Sequence, residues 1–126
     1  MNDLIIPANV DFRTPAIDFK VSGNLKISGE SIASNPVLFF EPVRNWLEEL
    51  KKVKPKEVVL TMALNYFNTS SSKLFYGLFK TLETFQNDGL IVKVVWVHDA
   101  ADSEMLQTGI DYSTMVKIPF EMVEAK

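Results

Sequence analysis

Between Ala16 and Ile27 the apolar residues fall on alternate positions: Ile17, Phe19 and Val21, then Leu25 and Ile27, with Ser22-Gly23-Asn24 between the two sets. Period-two alternation around a glycine turn predicts a β-hairpin. From Asn35 the period lengthens. Phe39, Val43, Trp46, Leu47 and Leu50 recur at helical spacing, Asn35 suits the N-cap, Pro36 suits the first helical position, and Lys51-Lys52 marks the end. Pro42, which lacks a backbone donor and crowds the preceding turn, is expected to kink or restart this helix.

The run Val58-Val59-Leu60-Thr61-Met62-Ala63-Leu64 is apolar on both faces, which predicts a central strand covered by helices on each side. Ser70 to Gln86 returns to the helical period, with Leu74, Leu78, Leu82 and Phe85 in one row and Asn87-Asp88-Gly89 as the stop. Phe75 and Phe79 flank that row, and burial statistics favour core packing over a partner-facing strip for both. Leu90 to Val97 predicts a second apolar strand carrying Trp96. Asp102 to Gln107 predicts a short helix stopped near Gly109, and Met115 to Phe120 a last short strand.

The resulting order, ββαβαβαβ, is that of an α/β chain with a mixed sheet, a parallel centre and right-handed crossovers. Functional groups in such sheets gather at the carboxyl ends of the strands. Two segments reach that edge: Asn65 to Ser72, and His98 to Glu104.

Composition narrows the field. The 126 residues, 47% hydrophobic with two Trp, nine Phe and three Tyr, are expected to form one domain, 1–126, able to bury a core without staples. Repeats, low-complexity tracts and Gly/Ser linkers are absent. With no cysteine, the chain has no disulfide, thiolate nucleophile or thiolate metal site, which fits a reducing compartment. The first residues lack a basic region followed by a long apolar one, and no apolar run approaches the ~20 residues of a membrane span, so a cytoplasmic location without a membrane partner is expected. Thirteen Lys and Arg against sixteen Asp and Glu leave a net charge of −3, with the basic residues scattered. Nucleic acid, which demands concentrated positive charge, is not an expected partner.

The catalytic inventory is thin. His98 is the sole histidine, there is no Gly-x-Ser-x-Gly elbow, and the five glycines form neither a phosphate loop nor a dinucleotide fingerprint. No catalytic residue and no cofactor are expected. His98 at a strand end reads first as a polar loop residue bonded to a neighbouring carboxylate. Asp99, Asp102 and Glu104 are of the type that binds Mg²⁺, but a solvated loop running into an acidic first helical turn accounts for them, and no metal site is assigned.

The distinctive stretch is Leu64-Asn65-Tyr66-Phe67-Asn68-Thr69-Ser70-Ser71-Ser72-Lys73, four consecutive hydroxyls between a buried strand and an apolar helix. Asn68, Thr69 or Ser70 would cap the helix by accepting an orphan N–H, which accounts for one of them. A phosphate at the same corner would gain from the positive helix end and its free N–H groups while adding nearly two charges to an exposed turn.

These residues carry a resemblance. Thr14-Pro15-Ala16-Ile17, Gly29-Glu30-Ser31 with Asn35, Phe40-Glu41-Pro42 with Trp46-Leu47, Tyr66-Phe67-Asn68-Thr69-Ser70-Ser71, Val95-Trp96 and Ile118-Pro119-Phe120 together resemble the SiaC family of bacterial regulatory phosphoproteins. The fold of that family is similar to STAS (anti-sigma-factor antagonist) domains. The family's usual Gly-Glu-Ser-Tyr-Pro-Glu-Asn stands here as Gly29-Glu30-Ser31-Ile32-Ala33-Ser34-Asn35, keeping Glu30, Ser31 and Asn35. The resemblance implies phosphorylation of Thr69 by a kinase with a GHKL-type fold, with Ser70 as the second candidate acceptor. It also implies dephosphorylation by a PP2C-like phosphatase, and an effector such as a diguanylate cyclase in biofilm- or aggregation-type signalling. Asn68, Ser70, Ser71, Glu30 and Ser31 are the implied partner-binding positions.

The leading expectation is thus a non-enzymatic partner switch, in which a dianion placed in a protein interface costs several kcal/mol unless basic groups match it. The alternative is a phosphoryl relay or receiver-like protein using His98, Asp99 or Asp102, and a purely structural subunit is the third reading.

Overall fold

The computed structural model describes residues 1–126. The elements are β1 (Leu4–Ile6), β2 (Ala16–Phe19), β3 (Asn24–Ser31), α1 (Pro36–Val53), β4 (Glu57–Phe67), α2 (Thr69–Asn87), β5 (Ile91–His98), α3 (Ser103–Met115) and β6 (Phe120–Glu124). The expected order holds from the hairpin onward, with one further strand in front. That strand pairs antiparallel with β2, Ile5 opposite Asp18, and its flanks are tied down where Trp46 Nε1 donates to the Asn2 carbonyl (2.8 Å) and the Val21 N–H to Asp3 Oδ1 (2.8 Å). Three residues are too few to display a period, so only the pairing reveals it.

The six strands lie side by side in chain order, β1 to β3 antiparallel and β3 to β6 parallel. Every parallel crossover therefore steps the same way along the sheet, and right-handedness places α1, α2 and α3 on the same face. Burial follows this geometry. In β4 Val58, Leu60, Met62 and Leu64 are buried while Val59, Thr61 and Ala63 are only half-buried, and β5 repeats the alternation. The expected two-sided cover of the central strand is thus corrected: helices cover one face. Val and Thr on the other face suit the pleated surface, and with Ala63 they are shielded sideways by flanking strands, which hides the alternation in the sequence.

One cluster of 25 buried residues joins the inner face of the sheet to all three helices, with Phe40, Phe75, Phe79, Phe85 and Trp96 among its largest members. Phe75 and Phe79 belong to this core. α1 starts as expected, Asn35 Oδ1 accepting the Leu38 N–H (3.2 Å), and it runs through Pro42 as one helix. Burial of Phe40, Val43, Trp46, Leu47 and Leu50 outweighs the single lost backbone bond.

α3 departs from expectation. It passes through Gly109 to Met115, and the last strand is Phe120–Glu124, C-terminal to the expected Met115–Phe120. Gly109 permits close approach here and does not stop the helix: a Cβ at this position would overlap the Trp96 indole at Cδ1. The same indole donates from Nε1 to the Met105 carbonyl (2.9 Å), so Trp96 and α3 interlock.

Candidate functional site

β3 and β4 end together, Glu30 opposite Tyr66 and Ser31 opposite Phe67, after a register shift at Gly29, whose φ of +97° suits glycine alone. The chain then turns directly into α2. The Asn68 N–H donates to the Ser31 carbonyl (3.2 Å), Asn68 Oδ1 accepts the Ser71 N–H (2.9 Å), and the Asn68 carbonyl accepts the Ser72 N–H (3.0 Å). Asn68 is thus the cap, and neither Thr69 nor Ser70 is needed for that role.

The four consecutive hydroxyls have separate fates. Thr69 and Ser70, in the first turn of α2, are exposed. Ser71 and Ser31 are both 0% exposed: Ser71 Oγ donates to the Ser31 carbonyl (2.8 Å), and Ser31 Oγ donates to Ser71 Oγ (2.9 Å). A partner docking on this surface reaches neither of these two hydroxyls; they clamp β3 to α2 beneath the exposed Thr69 and Ser70. Ser72 Oγ lies 2.6 Å from Tyr112 Oη, and Tyr112 Oη donates to the Ser72 carbonyl (2.9 Å), binding α2 to α3. Burial pushes the Tyr112 hydroxyl up from its usual pKa, a shift the bond from Ser72 opposes.

Beside this turn, Arg13 forms a two-point bond to Glu30, Nε to Oε1 at 3.0 Å and Nη2 to Oε2 at 3.2 Å. This hydrogen bond is the main cause that holds the Glu30 carboxyl below, and the Arg13 guanidinium above, their usual ranges. Arg13 has φ +54°, and its carbonyl accepts the Ile32 N–H (3.0 Å), so a strained loop residue is stitched to the end of β3. A partner meeting Glu30 meets an ion pair. Nothing local in the sequence marks Arg13; its role arises from a contact 17 residues away. Tyr66, exposed at the end of β4, completes the surface.

The second expected segment also lies at the carboxyl edge, after β5. His98 is not the polar loop residue expected. It ends β5, is 6% exposed, and its Nδ1 lies 3.0 Å from the Asp99 carbonyl, not a carboxylate. Asp99 Oδ1 accepts the Ala101 N–H (2.9 Å) and Asp102 Oδ1 caps α3 through the Met105 N–H (2.9 Å). Asp99, Asp102 and Glu104 do not converge with His98 on a common point suited to a metal ion. No helix is long and apolar enough to cross a membrane.

Three comparisons bear on this arrangement. Residues 8–125 match the sequence model of the SiaC family regulatory phosphoproteins. An uncharacterized protein of Pseudomonas aeruginosa strain UCBPP-PA14 is 29% identical over 122 residues, covering 95% of this chain and 94% of that protein. Among solved structures, SiaC of Pseudomonas aeruginosa is similar at 28% identity and a TM-score of 0.88, over 99% of this chain and 100% of that one. A chain in the crystal structure of the diguanylate cyclase SiaD with its activator SiaC, also from Pseudomonas aeruginosa, is similar at 27% identity and a TM-score of 0.90, over 98% and 100%.

Proposed function

The chain belongs to the SiaC family of regulatory phosphoproteins, and from that premise we propose that it is a partner switch reversibly phosphorylated on Thr69, whose phosphate sets its binding to an effector protein. As a member of that family it is a regulatory protein and not an enzyme. The observation that carries the choice of Thr69 is the division of labour in the turn. Asn68 takes the cap and Ser71 is sealed against Ser31, which leaves Thr69 and Ser70 as the exposed acceptors. Of these, Thr69 stands at the threonine of the family's Asn-Thr-Ser-Ser turn, the position the resemblance implies as the acceptor.

The charge change acts at a rigid corner. Phosphate at Thr69 would meet the positive end of α2, where no acidic side chain yet sits in the first turn, so the fold tolerates it. A partner seated over Thr69 would instead have to desolvate a dianion. A GHKL-type kinase adds the group and a PP2C-like phosphatase removes it. The effector is a diguanylate cyclase, by analogy with the Pseudomonas aeruginosa SiaC described as the activator of SiaD.

The test has two stages. Intact-mass measurement after kinase treatment should show one acid-stable phosphate on the wild type and none on Thr69→Ala. Titration calorimetry against the cyclase should then rank Thr69→Ala close to wild type, Thr69→Glu weaker, and phosphoprotein weakest, because glutamate supplies one charge where phosphate supplies nearly two. Equal affinities for wild type, Thr69→Glu and phosphoprotein would end the switch reading.

A further inference from the structure

A cleft of about 760 Å³ opens at the carboxyl ends of β4 and β5, and its wall includes Asn65, His98, Asp99, Asp102, Ser103 and Glu104. The lining contains three carboxylates and no Lys or Arg. The positive end of α3, which also faces this edge, is already offset by the Asp102 cap and by Glu104 in the first turn.

His98 supplies the decisive observation. His98 is more than nine-tenths buried, and its Nδ1 bonds the Asp99 carbonyl, a group that only accepts, so Nδ1 is the donor of that bond. In an imidazole with one ring proton, Nε2 is then an acceptor. It takes no hydrogen bond from the protein and is not among the sealed polar atoms, so it opens onto the cleft that His98 lines. Asp99 and Asp102 each commit Oδ1 to a backbone N–H, leaving Oδ2 free, and the exposed Glu104 carboxylate has no partner. The cleft therefore presents free carboxylate oxygens and one imidazole nitrogen beside the Asn65 and Ser103 side chains, held in place by the end of a central strand and the start of a helix.

We propose that this cleft binds an organic cation, a guanidinium or primary ammonium group, through the free oxygens of Asp99, Asp102 and Glu104 and through His98 Nε2. Several donors on one planar or tetrahedral cation match several acceptors spread along a wall, whereas a metal ion requires ligands that converge on one point. Such a group is carried either by a free amine or by an Arg or Lys side chain of a bound protein.

Titration of the full-length, isotope-labelled chain with agmatine, followed by ¹H–¹⁵N correlation spectra, tests this. Saturable shifts are expected at the amides of Asn65, Asp99, Ala101 and Ser103, with a dissociation constant of about 1 to 10 mM, the range open to a few charge-assisted bonds on a small ligand. Glu104→Gln, at an exposed position that leaves packing intact, should weaken binding about fivefold, the size of one such bond. Glu48→Gln on α1 should not change it. A blocked Gly-Arg-Gly peptide binding more tightly than agmatine assigns the site to a protein partner's side chain, and the reverse order assigns it to a free amine. The proposal is overturned if agmatine produces no saturable shifts, if Glu104→Gln binds like wild type, or if inorganic phosphate shifts the same amides with comparable affinity, which would make the end of α3 an anion site.

Discussion

Replacing Ser71 by alanine should destabilise the protein well beyond what the loss of one oxygen atom suggests. Ser71 Oγ makes two bonds at once, donating to the Ser31 carbonyl and accepting from Ser31 Oγ, with both residues sealed from water. In Ser71→Ala the Ser31 hydroxyl loses its acceptor, and a buried donor left unpaired costs about 1 to 3 kcal/mol. Ser31→Ala is milder, because Ser71 Oγ keeps its bond to the Ser31 backbone carbonyl; about 0.5 to 1.5 kcal/mol is expected for one net hydrogen bond. In the double variant no hydroxyl is orphaned, and the Ser31 carbonyl still accepts from Asn68 N–H. Its cost should be no greater than that of Ser71→Ala alone, which makes the pair strongly non-additive. Urea denaturation of the four proteins measures this through the midpoint at constant slope, and in a thermal melt each kcal/mol moves the midpoint about 3 to 6 °C for a chain of this size. Amide exchange at Ser71 and Ser72 should rise with the loss, since the clamp holds the first turn of α2 to β3. Costs for the double variant equal to the sum of the singles, or a Ser71→Ala cost below about 0.5 kcal/mol, would refute the clamp.

Gly109→Ala trades a helix-propensity gain of about 1 kcal/mol against a methyl group driven into the Trp96 indole, and overpacking of about 1 to 3 kcal/mol should win, seen as a lower melting temperature and altered Trp fluorescence. Phe79→Ala should cost about 3 to 5 kcal/mol in a chemical melt, because the ring is fully buried against Tyr112 and Phe120; a near-normal melt would place it outside the core. Tyr112 has a folded-state pKa raised by burial, so the folded protein holds its phenol proton longer than the unfolded chain does. Stability should therefore be intact below the ordinary Tyr value of about 10 and fall as pH rises from there through the folded pKa. Urea midpoints across that alkaline range, compared with Tyr112→Phe, measure this, and an equally steep loss in the variant would contradict it.

Local signals sufficed wherever the chain itself contains the whole interaction. The hairpin at Ser22-Gly23-Asn24, the Asn35-Pro36 helix start, the helix after Asn68 and the two apolar strands all depend on neighbours within a few residues, and all lie where the pattern puts them. The turn at Asn68 was legible for the same reason, since strand end, cap and hydroxyls are contiguous. Signals failed where a residue answers to a distant partner. Gly109 has the local signature of a helix stop, yet its role is set by Trp96; the strand Leu4–Ile6 exists because β2 offers an edge; and Val59, Thr61 and Ala63 look buried although no helix covers their face.

At the site itself, the sequence determined that four hydroxyls follow Asn68 and that they open a helix. It left open which of them are buried and which are exposed. Tertiary structure alone made them different, because β3 arrives beside β4 and brings the Ser31 carbonyl and hydroxyl onto Ser71, while α3 brings Tyr112 onto Ser72. The same approach brought Arg13 to Glu30. These contacts span 17 to 40 residues, and no periodic pattern within a segment encodes which distant segment will pack against it. Periodicity reports which face of an element turns inward; only the assembled sheet and helices decide what that face meets, and so which hydroxyls remain exposed.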